Sequence, residues 1–377
     1  MTTITSNFDN LDIKHDILKG IYLYGFKEPS SIQKKGILAI NSGRDCIIQS
    51  QSGTGKTATF ILGAFNKMEN NNKLQIVIIT PTRELATQVY NVAKEISKFT
   101  KFNISLLIGG TNVVYKLNNC NMIIGTLGRI NHIFQNKNNN TDNIKMLIID
   151  EADDLFADGM SEDLNKIINR LKPDIQKVLI SATLSKNIFS LEDTFLNNPI
   201  KILVKKTDIT VDLITQFYID VEVENYKFDV LLDLYNIIST TQAIIFCNTI
   251  RKVTWLNNKL EEENFTITTI HGKMTPEERK TIVKDFRDGK TRLLLTTDLL
   301  ARGIDIPQVN LIINYDIPIS KETYIHRIGR CGRFDKKGVS ISMVKMEDNS
   351  DVQLLNKLKH YYKLNIDEIP ENINEYI

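Results

Sequence analysis

Short apolar runs alternate with longer amphipathic segments along the whole chain. In the first half the runs are Asp45–Gln49, Gln75–Thr80, Met122–Gly125, Met146–Asp150 and Lys177–Ser181. They are nearly continuous in Ile, Val and Leu, as a strand must be when helices cover both faces of a parallel sheet. The stretches between them, among them Lys56–Met68, Glu84–Phe99 and Ser161–Leu171, carry a helical pattern. The same alternation then returns. Strands are predicted at Ala243–Cys247, Thr266–Ile270, Arg292–Thr296, Leu311–Asn314 and Val339–Val344. Helices are predicted over Tyr226–Ile238, Arg251–Glu262 and Pro276–Asp288. Alternating strand and helix implies right-handed crossovers, hence an α/β class with two tandem doubly wound parallel-sheet domains. The polar stretch Lys205–Leu213 has no helical period. We therefore place a first domain over residues 1–205, a short linker over 206–213 and a second domain over 214–377. Two asparagine-rich runs, Asn70–Asn72 and Asn138–Asn140, read as solvated loops.

Composition narrows the class. A length of 377 residues fits two domains, and 42% hydrophobic with 24% charged residues is ordinary for a globular protein. A formal net charge of +2 excludes a whole-molecule field for nucleic acid, so any such binding needs a local surface. Cys46, Cys120, Cys247 and Cys331 are far apart, which suggests neither a zinc site nor a redox pair, and reduced thiols. Met1–Asn10 is polar, with no apolar signal core. No apolar run approaches the ~20 residues that span a bilayer. The expectation is a soluble, cytoplasmic protein with no membrane partner, the nucleus being left open.

The candidate chemistry begins at Ser50-Gln51-Ser52-Gly53-Thr54-Gly55-Lys56-Thr57, which follows a predicted strand and opens a predicted helix. That is the context of a phosphate-binding loop, although its strict pattern begins with Gly where this chain has Ser50. Glycines let backbone N–H groups turn inward around phosphates, and the helix start adds its positive end. Lys56 would neutralise phosphate charge and Thr57 would hold Mg²⁺ through its hydroxyl. Leu147-Ile148-Ile149-Asp150-Glu151-Ala152-Asp153 ends an apolar strand in an acidic cluster, at the edge where open sheets bind ligands. Asp150 fits a carboxylate that orients Mg²⁺. Glu151 fits the group that positions and deprotonates a water. The candidate metal set is thus Thr57, Asp150 and Glu151.

Asp-Glu-Ala-Asp at 150–153 resembles the signature of the DEAD-box RNA helicases, and further motifs of that family follow in its order over nearly the whole chain. The resemblance implies two RecA-like domains, RNA-dependent ATP hydrolysis and local unwinding of short duplexes. Gly25-Phe26 and Pro29-Ser30-Ser31-Ile32-Gln33 look like the adenine-reading motif, with Gln33 on the base edge, Phe26 beside it, and Phe8 where the family carries an isolated aromatic. Ser52, Gly53, Thr54 and Gly55 would join Lys56 and Thr57 on the phosphates. Pro81-Thr82-Arg83, Gly109-Gly110 and Thr126-Leu127-Gly128-Arg129 resemble the RNA-contacting motifs of the first domain, Leu127 standing where the family usually has proline. Contacts of that kind go to the sugar–phosphate backbone. Ser181-Ala182-Thr183 resembles the motif that couples ATP state to strand separation, its hydroxyls expected on the acidic cluster.

In the second domain the resemblance implies RNA contacts from Asn248, Thr249, Arg251, Gly272, Arg279, Thr296 and Asp298. It implies nucleotide contacts from Gly303 and Asp305, an arginine finger at Arg330 supported by Arg333, and a coupling role for His326. Such fingers stabilise transition-state charge. Arg251-Lys252-Val253, Tyr324-Ile325-His326-Arg327 and the tail Ile369-Pro370-Glu371-Asn372-Ile373 resemble the branch of the family that serves translation initiation. The resemblance therefore implies a monomeric core acting on single-stranded or short-duplex RNA, with a scaffold protein that favours closure of the two domains. The alternative is an ATP-gated RNA clamp in a messenger ribonucleoprotein.

Overall fold

The structure is a computed structural model that describes residues 7–50, 53–110, 117, 119–136, 139–157, 161–183, 192–203, 214–238, 242–298, 309–331 and 337–376. The chain divides into two compact units, Met1–Val204 and Lys205–Ile377. The linker expected over 206–213 lies outside the described residues.

The first unit carries β1 (Cys46–Gln49), β2 (Ile76–Thr80), β3 (Ile104–Leu107), β4 (Met122–Thr126), β5 (Met146–Ile149), β6 (Gln176–Ser181) and β7 (Ile200–Ile202). They form one sheet in the order β3-β4-β2-β5-β6-β1-β7, every pairing parallel. The run Ile76-Val77-Ile78-Ile79 shows why these strands are apolar throughout. Ile76 and Ile78 pack into one core with Ile17, Phe60 and Val89, while Val77 and Ile79 pack into another with Phe134, Phe156 and Leu164. Successive side chains point to opposite faces, so a sheet buried on both sides needs an apolar residue at every position.

The second unit carries β8 (Ile214–Asp220), β9 (Ala243–Phe246), β10 (Ile267–Ile270), β11 (Leu293–Thr296), β12 (Leu311–Asn314), β13 (Gly338–Val344) and β14 (Ile366–Glu368). Their order is β10-β11-β9-β12-β13-β8-β14, again parallel throughout. Taken strand by strand, this is the order of the first sheet repeated. The two sheets are built on one plan, as the recurrence of the apolar pattern implied.

Four strands escaped the sequence reading: β3, β7, β8 and β14. Three are sheet edges, and β8 lies next to an edge. Edge strands leave one side open to water and tolerate polar residues, as in Ile104-Ser105-Leu106-Leu107 with three half-buried positions. Their apolar signal is correspondingly diluted. The first asparagine run is the solvated loop expected, with Asn70 and Asn72 exposed, and is tied down where Asn71 accepts from the Gln75 side chain at 3.0 Å and its carbonyl is bonded by Asn121. Asn138 lies outside the described residues.

Candidate nucleotide site and nucleic-acid interface

Sheet order sorts the motifs. The carboxyl ends of β1, β6 and β5 are neighbours and bear the phosphate loop, Ser181–Thr183 and the acidic cluster. The ends of β2, β4 and β3 lie together on the other half of the same edge and bear Pro81–Arg83, Thr126–Arg129 and Gly109–Gly110. The switch point between β2 and β5 thus separates two chemistries, in keeping with ligand binding at the carboxyl edge of open α/β sheets.

In the phosphate loop, Gly53 has φ +82° and Gly55 has φ +94°, a left-handed backbone that glycine adopts without steric cost. Gly55 caps the helix Lys56–Lys67. Lys56 is buried, its Nζ 3.6 Å from Glu151 Oε1, and among the described residues that ammonium has no hydrogen-bond acceptor. Thr57 follows, half-buried. Ser52 lies outside the described residues.

Asp150 and Glu151 are both buried, and Asp150 Oδ1 accepts from the Glu151 N–H at 3.0 Å. Glu151 has φ +47°, a left-handed conformation that costs a non-glycine residue about 1–2 kcal/mol. Its Oε2 has no hydrogen-bond donor among the described residues. Burial, then the neighbouring Glu151 carboxylate, push the Asp150 carboxyl up to about 7, against the pull of Lys56. A buried cation and two buried carboxylates with hydrogen-bonding capacity to spare are costly in an apolar setting. Such a shell fits a phosphate anion on Lys56 and a cation on Asp150 and Glu151, with the Thr57 hydroxyl close by in sequence.

The adenine-motif residues press on this loop. Ser30 caps the helix Ser31–Asn41 in a reciprocal capping box, its N–H donating to Gln33 Oε1 at 2.8 Å and its Oγ accepting from Gln33 N–H. Gln33 is buried, and a Cβ added to Gly55 would stand 2.6 Å from its Nε2 and displace its amide. One Gln33 oxygen lone pair is therefore spent locally, leaving Nε2 as the side chain's donor. Phe26 is half-buried and packs on Phe8 at 6.2 Å and Tyr24 at 5.1 Å between ring centroids. Phe8 is 0% exposed within the core of the first unit. Its ring has no open face to stack on a base. This corrects the expected nucleotide contact: Phe8 braces Phe26.

The expected coupling bonds are half realised. Thr183 Oγ1 donates to Asp153 Oδ2, joining β6 to the acidic cluster. Ser181 Oγ instead donates to the Thr183 carbonyl, so it shapes its own motif and does not reach the acids.

The candidate RNA motifs occupy matching places in the two units. Thr82 follows β2 and caps the helix Arg83–Ile96, accepting from Leu85 N–H at 3.2 Å. Thr249 follows β9 and caps the helix Ile250–Glu262, accepting from Lys252 N–H at 3.2 Å. Both hydroxyls are thus used as helix caps. The Arg83 guanidinium lies on Gly109, where an added Cβ would come within 2.9 Å of it. Gly110 has φ +84° and is exposed. Nothing lies within 4 Å of a Cβ built on Gly128 or Gly272, so open space stands over both backbones. Pro81, Thr126 and Arg129 are half-buried, Arg251 is exposed and Arg279 is buried.

Other assignments in the second unit change. Thr296 is 0% exposed, its Oγ1 donating to the Thr297 carbonyl, and its side chain is closed to any ligand. Asn248, half-buried, is tied into the fold: its N–H donates to Asp316 at 2.9 Å, its Nδ2 to Ile317 O at 2.9 Å, and its Oδ1 accepts from Arg327 at 2.6 Å. Asp298 pairs with Arg327 Nε at 2.5 Å while its own side chain remains partly open. Arg327, to which the sequence reading gave no role, is the hub. Fully buried, it also donates to Asn314 Oδ1 at 3.3 Å and Asp316 O at 2.7 Å, and stands over the Phe246 ring. Its five N–H donors in a rigid fork suit that work. His326 is buried, and Arg330, also buried, donates from Nε to the His326 carbonyl at 3.2 Å. Gly303, Asp305 and Arg333 lie outside the described residues.

Comparison with known proteins places this geometry. Residues 30–191 match the DEAD/DEAH box helicase model, and residues 226–335 match the helicase conserved C-terminal domain. The chain is 46% identical to an ATP-dependent RNA helicase FAL1 of Scheffersomyces stipitis, over 99% of this chain and 94% of the relative. It is equally 46% identical to an ATP-dependent RNA helicase eIF4A of Candida albicans, over 98% and 94%. Among solved structures it resembles S. cerevisiae Dbp5 bound to RNA and ADP BeF3, with TM-score 0.92 and 34% identity over 98% of both chains. Two RecA-like α/β units, a phosphate loop facing an Asp-Glu-Ala-Asp cluster, and full-length relatives together settle the family: the chain belongs to the DEAD/DEAH box helicases.

Proposed function

We propose that this helicase is driven by ATP and acts on single-stranded or short-duplex RNA, unwinding it locally. The observation that carries the reading is the unfinished polar shell of the first unit: Lys56 Nζ and Glu151 Oε2, buried, lack hydrogen-bond partners among the described residues at the mouth of a glycine-built phosphate loop. The relatives' names as ATP-dependent RNA helicases, and the nucleotide and RNA bound to Dbp5, agree with it.

In this reading Lys56 and the loop N–H groups hold the phosphates. Glu151, set in a left-handed turn, orients the attacking water and accepts its proton. Thr57, Asp150 and Glu151 would hold Mg²⁺, which would supply positive charge to the site. Thr183 senses the acids through Asp153. Backbone groups around Gly109–Gly110, Gly128 and Gly272, with Arg83 and Arg251, grip RNA by its sugar–phosphate chain, which makes binding largely indifferent to base identity. Arg330 serves as the arginine finger, stabilising charge that develops on the phosphates in the transition state. The eIF4A relative favours translation initiation as the setting, with a scaffold protein as partner.

The test is steady-state ATP hydrolysis with and without single-stranded RNA, with DNA of the same sequence as control. RNA, and not DNA, should stimulate the rate. Glu151→Gln should lower it by about 10²–10⁴-fold, the usual contribution of a general base. An ATPase rate indifferent to RNA would sink the proposal. Single turnovers followed by long retention of RNA would point instead to the clamp.

A further inference from the structure

The phosphate-loop pattern has Gly at its first position, and this chain has Ser50 there. Ser50 is buried, and its N–H donates to the Ser181 carbonyl of β6 at 3.1 Å. Its Oγ shares a hydrogen bond with Oγ1 of Thr54. Thr54 is held at a second point, where its carbonyl accepts from Ser30 Oγ at 2.9 Å. Ser30 belongs to the capping box whose other member, Gln33, lies over Gly55.

We propose that Ser50, Thr54 and Ser30 form a hydroxyl latch that fixes the phosphate loop, with Ser50 as a positioning residue for the nucleotide. The latch rests on the reading of this loop as the ATP site. The physical need is plain. Thr54 stands between Gly53 and Gly55, both in left-handed backbone, and glycine has more conformational freedom to lose than any other residue. A loop with two such joints wanders unless the residue between them is pinned. Thr54 is pinned from one side by Ser50, anchored to β6 through its own N–H. From the other side it is pinned by Ser30, anchored in the helix cap that carries Gln33. A glycine at position 50 has no hydroxyl and would open the first of these ties. Ser50 does not bond Lys56, Asp150 or Glu151, so its loss falls on the loop's readiness to receive phosphates and not on the chemical step.

The experiment uses the full chain with Ser50→Ala, Thr54→Val and the double substitution, plus Ser50→Gly, which restores the strict pattern. Three quantities are measured: the dissociation constant for ATP, KM and kcat of ATP hydrolysis at saturating RNA, and amide hydrogen exchange of Gly53, Thr54 and Gly55 without nucleotide. Loss of one neutral hydrogen bond predicts ATP binding weaker by about two- to tenfold. For Ser50→Ala, KM should rise by the same factor while kcat holds, and the three amides should exchange faster. The double variant should be no worse than either single, because both remove the same bond, and Ser50→Gly should behave like Ser50→Ala. Additive singles would overturn the latch, as would Ser50→Ala with unchanged KM and exchange and only a lower melting temperature. If the unaltered chain fails to bind ATP, the nucleotide reading falls, and exchange in Ser50→Ala against the unaltered chain still decides whether the latch exists.

Discussion

The two sheets carry a lysine–carboxylate pair at the same address, in differently completed surroundings. Lys56 and Lys227 lie equally far beyond the ends of β1 and β8, and Glu151 and Asp316 equally far beyond β5 and β12. The pairs are 3.6 Å and 3.3 Å apart, and all four residues are buried. What differs is the rest of the shell. In the first unit, Lys56 Nζ and one Glu151 oxygen are left without hydrogen-bond partners among the described residues. In the second, Lys227 also reaches Glu224 at 3.1 Å, and Asp316 accepts from Lys252 at 2.7 Å and from Asn248 N–H at 2.9 Å. Burial opposes the charge of Asp316, but Lys252, the Asn248 N–H and Lys227 together hold its carboxyl below the usual range. One edge is left unfinished, and in the proposed reading a phosphate and a cation complete it. The other is finished by its own side chains. A repeated architecture therefore does not repeat a site; the site exists where the polar shell is left incomplete.

Exchanging the two lysines for methionine puts the contrast under the largest strain. Lys56→Met should cut ATP turnover by about 10²–10³-fold, the cost of removing a preorganised charge from a transition state. Lys227→Met should leave turnover intact and destabilise the second unit by about 3 kcal/mol, because it strands part of a buried ion-pair cluster. ATPase assays beside urea unfolding of both variants decide the matter. If Lys227→Met silences hydrolysis without loss of stability, the second shell is not the self-contained structure described above.

Proton linkage sharpens the same comparison. Asp150, held near 7, is protonated below neutrality and must lose that proton to bind a cation. Apparent affinity for Mg²⁺–ATP should therefore fall about tenfold per pH unit below about 7, and Asp150→Asn should flatten the dependence. The ligand-free protein shows the converse sign. Between the carboxyl's ordinary value of 3.8 and about 7, the folded state binds a proton that the unfolded state does not. Stability of the first unit then declines as pH rises through that window. Asp316 is shifted the other way, so its contribution is present above the unfolded value and is lost only in acid. Binding titrations from pH 6 to 8 that show no slope would remove Asp150 from the cation set.

Much of this was legible in the sequence, and the failures share a cause. Interior strands announce themselves because both faces are buried, as in Ile76–Ile79. Edge strands β3, β7 and β14 do not, because water replaces half of their packing. The phosphate loop and the acidic cluster are local patterns, each written in consecutive residues. Phe8 and Thr296 belong to recognisable motifs, yet the fold buries the face or atom a ligand would need. Which atom is consumed depends on remote partners. Arg327 becomes a hub only because Asn248, Asp298, Asn314 and Asp316 converge on it from the ends of three strands, β9, β11 and β12. The Ser30 bond to Gln33 is different: Ser-x-x-Gln before an apolar run is a capping-box pattern, and it could have been read directly.

The smallest test concerns the feature the two units share most closely. Thr82 and Thr249 cap equivalent helices with bonds of the same length. Alanine at either position should cost about 1 kcal/mol, and serine should restore it. The surroundings of the two helix starts predict a difference on top of that common loss. The first turn after Thr249 carries Lys252, which bonds Asp316 and Glu224. The corresponding place in the first turn after Thr82 is held by Leu85, an apolar side chain that forms no ion pair. Fraying the second helix loosens the ion-pair cluster as well as the cap, so Thr249→Ala should lose more than Thr82→Ala. Amide exchange in the two first turns reads each loss separately. Equal losses would mean that Lys227 and Asn248 hold Asp316 without help from Lys252, and that the finished shell of the second unit is stiffer than its shared helix cap.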